Sequence, residues 1–225
     1  ASADSVVLGE TQTRPLLAAY GIPLVAAETA SSQDEAAHKA AVVGFPVAMK
    51  IISPDILHKS DSGGIRLGIH NEQEAWNSYQ QIMDSVREHH PAARLYGVLV
   101  EPMAPAGIEV IVGMKRDPNF GPLLMFGLGG IYVELFKDIA FRVAPISLVE
   151  AEKMIMETAA GTLLQGTRGA QPSDLHAVAE VIQKIGDLAI NHPGVAEIEI
   201  NPLLALPHGV LALDARAILE KSANQ

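Results

Sequence analysis

Strand-like and helix-like runs are spread unevenly along this chain, and their order constrains the fold more than any single motif. In the first hundred residues, short β-branched or alternating runs (Ile22 to Ala26, Val47 to Ile52, Ile65 to Ile69) are separated by helical stretches. From Leu95 to Ala144 the pattern is nearly all strand and turn, with runs at Leu95 to Val100, Ile108 to Lys115, Leu123 to Phe126 and Ile139 to Ala144. Further strands are expected at Ala196 to Leu204 and Val210 to Asp214. A doubly wound sheet requires regular alternation, so a two-lobed α+β or mixed α/β arrangement fits better. Pro102, Ala104, Pro105, Ala106 and Gly107 make a linker-like break. The expected division is an N-terminal helical segment (1–21), a first lobe (22–101) and a second lobe (102–225).

The helices announce themselves at their starts. Ser32 with Glu35, Asn71 with Glu74 and Ser147 with Glu150 each place a capping side chain three residues before a glutamate. Helices are therefore expected from Gln33 to Val43, Glu72 to His89 and Leu148 to Ala159, with Gly44 and Gly161 as stops. Apolar recurrence at Leu175, Val178, Val181, Ile182, Ile185 and Leu188 predicts another from Asp174 to Ile190. An opening helix from Thr11 to Tyr20 ends at Gly21.

Composition narrows what these elements can do. With 225 residues and 48% hydrophobic side chains the chain can bury a sizeable core, and only 4% aromatics means Ala, Val, Ile and Leu fill it. The absence of Cys excludes disulfides, thiolate metal sites and cysteine nucleophiles. A formal net charge of −10 leaves no basic stripe to displace counterions from nucleic acid, although a small anion can still bind at a local basic spot. No apolar run approaches a membrane span, and residues 1–10 show no export signal, so a cytoplasmic protein is expected.

Lys50 stands in Pro46-Val-Ala-Met-Lys-Ile-Ile52, where alternation puts it on the face of Ala48 and Ile52. A charge there needs a partner, for which phosphate is suitable, or else lies on an edge strand and reaches water. The loop that follows contains His58 and closes on Ser62, Gly63 and Gly64, where consecutive glycines let backbone N–H groups surround an anion. His58 is either a nucleophile or general base, or a solvent-exposed histidine on a turn.

The most specific constellation is Val195-Ala-Glu-Ile-Glu-Ile-Asn201-Pro-Leu. Period-two geometry puts Glu197, Glu199 and Asn201 on one face, and Ile198 with Ile200 on the other. If the hairpin to Val210-Leu-Ala-Leu-Asp214 centres between Pro207 and His208, Asn201 and Asp214 oppose one another. Hard oxygen donors favour Mg²⁺ carrying substrate phosphates; the other reading is an exposed polar sheet face. Glu101 precedes the linker, and Glu109 shares a face with Ile111, Gly113 and Lys115 beyond it. Gly127-Leu-Gly-Gly130 lacks dinucleotide spacing and reads as a tight turn, while Arg142 and Arg168 are either anion contacts or salt-bridge partners.

Taken together, Leu17-Ala-Ala-Tyr-Gly-Ile-Pro23, Pro46-Val-Ala-Met-Lys-Ile-Ile52, His58-Lys-Ser-Asp-Ser-Gly-Gly64, Gly127-Leu-Gly-Gly-Ile-Tyr-Val-Glu134, Phe141-Arg-Val-Ala-Pro145, Gly166-Thr-Arg-Gly169, Glu199-Ile-Asn-Pro202 and Asp214-Ala-Arg216 carry a family likeness. Over essentially its whole length the chain resembles the ATP-grasp β subunit of ADP-forming acyl-CoA synthetases (acetate-CoA ligases), relatives of succinyl-CoA synthetase. The resemblance implies an α+β, two-lobed ATP-grasp fold with nucleotide held between the lobes.

It also implies site roles. Lys50 contacts nucleotide phosphates together with the Ser62-Gly63-Gly64 turn, Glu101, Pro102 and Met103 hold adenine, Glu109 lies near the ribose, and Asn201 with Asp214 binds Mg²⁺. By the same resemblance His58 is transiently phosphorylated and Glu199 steadies the phosphohistidine. The implied cofactors are ATP/ADP and Mg²⁺, and the implied reaction is acyl-CoA + ADP + phosphate ⇌ acid + CoA + ATP. The family requires a CoA-binding portion that nothing in this sequence resembles. The expected partner is therefore a CoA-binding α subunit, or fused CoA-binding domains, in a hetero-oligomer or multidomain chain, with neither nucleic acid nor membrane involved. A second reading is a non-catalytic or regulatory ATP-grasp domain of a fused protein-lysine acyltransferase.

Overall fold

The computed structural model describes residues 5–56, 58–130, 138–166 and 171–220. Its backbone groups into two units, one of residues Val25–Pro105, the other of residues 1–24 with 106–225.

The first unit is a four-stranded antiparallel sheet with two helices on one face. In chain order it contains β2 (Glu28–Ala30), α2 (Gln33–Val43), β3 (Val47–Ile51), β4 (Ile65–Ile69), α3 (Glu72–His89) and β5 (Val98–Pro102), and the strands lie in the order β2-β5-β3-β4. Both helices begin where their caps predict. The Ser32 hydroxyl accepts from the Glu35 N–H at 3.2 Å, and the Asn71 amide oxygen from the Glu74 N–H at 2.9 Å, satisfying amides that no helical carbonyl can reach. Val47, Met49 and Ile51 of β3, with Val98 and Val100 of β5, pack against Ala36, Ala40, Ala75, Ile82 and Val86 of the helices. Each fully buried Val or Ile contributes about 1.5–3 kcal/mol. The strand expected from Leu95 starts later, because the Tyr96 N–H bonds the Ile52 carbonyl at 2.9 Å, outside the ladder.

The second unit begins with β1 (Ser5–Leu8) and α1 (Glu10–Ala19) and resumes with β6 (Ile108–Asp117), β7 (Gly121–Leu128) and β8 (Ile139–Val143). It continues with α4 (Leu148–Met156), α5 (Ala159–Leu164), α6 (Leu175–Asn191), β9 (Val195–Ala205), β10 (Val210–Ala212) and β11 (Ala215–Glu220). The antiparallel sheet runs β1-β11-β9-β6-β7-β8, with β10 also paired to β9. Val110, Val112, Met114, Leu124, Phe126, Ile198 and Ile200 form its apolar face, packed against Val178, Val181, Ile182, Ile185 and Leu188 of α6. Arg116 reaches the last turn of α6, where its Nη2 donates to the Ala189 carbonyl at 2.8 Å.

Several expectations need correction. The segment 1–21 is not only helical: β1 pairs antiparallel with β11, so it belongs to the second unit. Ile22 to Ala26 forms a single bridge, Leu24 to Ala212, since Pro23 has no N–H to continue a ladder. Gly161 does not stop a helix. A separate helix, α5, starts at Thr158, whose hydroxyl accepts from the Gly161 N–H at 3.1 Å, while Asp138 Oδ2 accepts from the Ala159 N–H at 2.7 Å. The strand expected from Val210 to Asp214 ends at Ala212, and β11 follows it in the same register against β9.

Candidate functional site

Within the first unit, Lys50 and Glu101 form a buried ion pair. Lys50 pairs across the ladder with Leu99 and Glu101 with Ala48, which sets both side chains on the sheet face opposite Met49 and Val100. Their Nζ and Oε2 lie 2.6 Å apart, and the residues are only 8% and 2% exposed. The edge-strand reading of Lys50 is overturned, because β3 lies inside the sheet. Pro102 is half-buried and Met103 exposed; the Met103 N–H donates to the Pro46 carbonyl at 3.1 Å, and its Sδ accepts from the Gly68 N–H at 3.3 Å.

His58 is exposed on the loop between β3 and β4. Downstream of it the chain makes a compact turn. The Ser62 hydroxyl donates to the Lys59 carbonyl at 3.1 Å, the Gly63 N–H to Ser60 at 3.1 Å and the Gly64 N–H to Lys59 at 2.7 Å. The amides of Gly63 and Gly64 thus brace the turn itself in this conformation, rather than standing open to an anion.

Within the second unit, the sheet face opposite the core is polar, and the hairpin aligns it. The Asn201 N–H donates to the Asp214 carbonyl at 3.0 Å, so these residues are register partners as the centred hairpin predicts. Arg216 pairs with Glu199 across the same ladder, and its Nη2 donates to Glu199 Oε2 at 2.9 Å and Glu197 Oε1 at 3.1 Å. Burial pulls the Arg216 guanidinium pKa down, but the hydrogen bond it donates to Glu199 and the charges of Glu199, Glu197 and Asp214 outweigh it and leave it raised. The Asn201 Nδ2 completes the row by donating to Glu199 Oε1 at 3.4 Å.

Gly130 joins this row from 71 residues away, its N–H donating to Asn201 Oδ1 at 3.0 Å. Its φ is +62°, and a Cβ added there would come within 2.5 Å of Glu109 Oε2. Gly130 is therefore where the Glu109 carboxylate and the Asn201 amide meet. The tight turn expected at Gly127 to Gly130 is corrected, since Gly127 and Leu128 are the paired end of β7 and only Gly129 and Gly130 lie beyond it; Gly130 and Arg216 were not singled out as site residues from the sequence.

Among the described residues, no group of three or more His, Asp or Glu forms a metal cage. Asn201 and Asp214 still fit Mg²⁺ chemically, since that ion takes one or two protein oxygens and fills its remaining positions with water and phosphate. The Asn201 oxygen keeps a second lone pair beside the one that Gly130 engages. Arg142 is a salt-bridge partner, bound to Glu150 at 3.0 Å and Glu157 at 2.5 Å. Arg168 and residues 131–134 lie outside the described residues.

One unit is a helix-backed antiparallel sheet with an oxygen-rich face and the other a smaller α/β unit carrying a buried lysine, and both features accord with an ATP-grasp protein. Residues 1–219 match the ATP-grasp domain family, and the chain belongs to it. It is 46% identical to the acetate-CoA ligase [ADP-forming] I subunit beta of Pyrococcus furiosus, over 97% of this chain and 94% of that one. It is 43% identical to the acetate-CoA ligase [ADP-forming] I of Archaeoglobus fulgidus, over 91% of this chain but 30% of that longer one. The fold is shared with a solved protein of Ca. Korarchaeum cryptofilum, the dinucleotide forming acetyl-coenzyme A synthetase 1. In complex with coenzyme A, Ca-AMPCP and HgCl+ it superimposes with a TM-score of 0.91 at 42% identity, covering 95% of this chain and 93% of that one. A second complex of it holds coenzyme A and Mg-AMPPCP with its phosphohistidine segment pointing towards the nucleotide binding site (TM-score 0.81, 39% identity, 95% and 93% covered).

Proposed function

We propose that this chain is the nucleotide-handling part of an ADP-forming acyl-CoA synthetase, running acyl-CoA + ADP + phosphate ⇌ acid + CoA + ATP through a phosphohistidine. The observation that carries the reading is the exposed His58, on the loop that leaves the strand bearing Lys50. In the ATP-consuming direction an imidazole nitrogen lone pair of His58 attacks the γ-phosphorus. The N–P bond forms as the bridging P–O bond breaks, and ADP leaves with that electron pair. The ring becomes a cation, which a carboxylate such as Glu199 steadies until its proton is lost. Lys50 meets phosphate charge by leaving Glu101, and Glu101 to Met103 with Glu109 hold the nucleoside. Asn201 and Asp214 would hold Mg²⁺, which when bound would offset charge on the phosphate oxygens.

The partner in this reading is a CoA-binding α subunit or fused domain, supported by relatives that are either β subunits or longer chains. A cytoplasmic setting, where ATP and CoA are both supplied, follows. The acyltransferase-module reading gains no support, since the relatives compared are ligases and a synthetase.

The test is incubation with γ-labelled ATP and Mg²⁺, scored for acid-labile, base-stable label on the chain. His58→Ala is expected to lose the label and keep nucleotide binding, while Asp214→Asn weakens Mg²⁺-dependent binding. Equal labelling of the His58 variant would eliminate the histidine's role.

A further inference from the structure

The loop carrying His58 leaves β3 through a stem that is tied down more heavily than an exposed loop needs. The Ile52 N–H donates to the Gly97 carbonyl and the Tyr96 N–H to the Ile52 carbonyl, each at 2.9 Å. One turn further, Asp55 accepts three hydrogen bonds from a single residue. The Arg94 backbone N–H and Nε reach its Oδ2 at 2.8 and 2.9 Å, and Arg94 Nη2 reaches Oδ1 at 2.7 Å. The Ser53 hydroxyl accepts from the Asp55 N–H at 3.1 Å, and Ile56 is buried in the core of the unit. On the far side of His58, the Ser85 hydroxyl of α3 donates to the Ser62 carbonyl at 3.1 Å, and Arg66 Nη1 donates to the Gly63 carbonyl at 3.2 Å.

Solvent-exposed ion pairs add little to global stability, and Arg94 is 65% exposed at its side chain. A planar fork meeting a carboxylate through both oxygens, reinforced by the same residue's main chain, instead fixes position and angle. The guanidinium also holds the Asp55 carboxyl at a pKa of about 2, so the bracket stays charged across the whole range in which an imidazole can act as a nucleophile.

We propose that Asp55 and Arg94 are positioning residues for phosphoryl transfer: their bracket fixes the upstream end of the His58 loop, as Ser85 and Arg66 fix the downstream end, so that the imidazole meets the phosphorus at a set distance and angle. The inference rests on His58 being the phosphoryl acceptor. In-line transfer is steeply sensitive to placement, an error of about 1 Å being worth roughly 100-fold in rate.

The experiment compares two phosphoryl donors on the full chain, with label mapped to His58 by peptide mass spectrometry. ATP with Mg²⁺ requires the imidazole to be placed; phosphoramidate, a small reagent, requires only that it be accessible. Asp55→Ala is expected to slow labelling by ATP on the order of 10- to 100-fold while leaving labelling by phosphoramidate and the nucleotide Kd unchanged. Arg94→Lys, which keeps the charge and the main-chain bond but loses the fork, falls between it and the native chain. The double variant Asp55→Ala, Arg94→Ala is no slower than Asp55→Ala alone, because the two residues act as a unit. Native-rate labelling of the variants by ATP overturns the inference alone, and so does an equal loss with both donors, which marks local unfolding. Failure of ATP to label His58 in the native chain overturns the phosphohistidine reading and this inference with it.

Discussion

A lysine and a glutamate buried against one another cost desolvation on both sides, so the Lys50–Glu101 pair is held in place by each partner's need for the other. Removing one charge leaves the second stranded. Lys50→Met and Glu101→Gln should each lower the unfolding free energy by about 3–5 kcal/mol in urea titrations. Replacing both together, Lys50→Met with Glu101→Leu, should restore most of that loss yet abolish the thermal shift given by ATP, separating the structural role from phosphate binding. Single variants as stable as the native chain would show that water reaches the pair. The residue pattern made part of the site legible beforehand. Glu197, Glu199 and Asn201 share a face because strands alternate, and the turn at Pro207 and His208 is short enough to fix Asp214 opposite Asn201. Gly130 and Arg216 were not legible as site residues. Gly130 meets Asn201 across 71 positions, and Arg216 finds Glu197 and Glu199 only once β11 is paired, a contact no local period encodes.

At the scale of elements, α4 and α5 show how a local rule yields to packing. Glycine near a helix end usually marks a stop, but Gly161 lies inside α5, where an added Cβ would come 2.2 Å from the Ile155 carbonyl oxygen. Alanine is the better helix former by about 1 kcal/mol, so in a free helix Gly161→Ala would stabilise. Here backbone must move, and the substitution should instead destabilise by about 1–3 kcal/mol, read from the midpoint of thermal or urea unfolding. A raised midpoint would mean that α4 and α5 separate easily. Elements whose ends are set by their own side chains were readable: α2 and α3 run between the expected residues because Ser32 and Asn71 cap them. Elements that exist through a distant partner were not. β1 depends on β11, more than 200 residues away, and β2 on β5, so neither has a periodic signature in its own few residues.

For the whole molecule, charge decides how a nucleotide is met. A chain with net charge −10 offers no general attraction to a polyphosphate, so in the proposed reading binding comes from placed groups: the Lys50 ammonium, and a divalent cation that Asn201 and Asp214 would hold. The proposed reaction then divides unequally. Phosphoryl exchange between nucleotide and His58 needs only groups on this chain, whereas the acyl-CoA half needs a surface that the family resemblance assigns to a partner. The isolated chain with ATP and Mg²⁺ should therefore release about one ADP per molecule in a burst and then stop, as expected when a covalent intermediate has no acceptor. Rapid-quench measurement of ADP checks this, with His58→Ala giving no burst. The acid and CoA added to the chain alone should leave the plateau unchanged, and adding a CoA-binding partner with them should convert it to steady turnover. Continued ADP release by the chain alone, at a rate matching the burst, would mean that water or this chain itself accepts the phosphoryl group, and that the division of labour between two polypeptide surfaces is wrong.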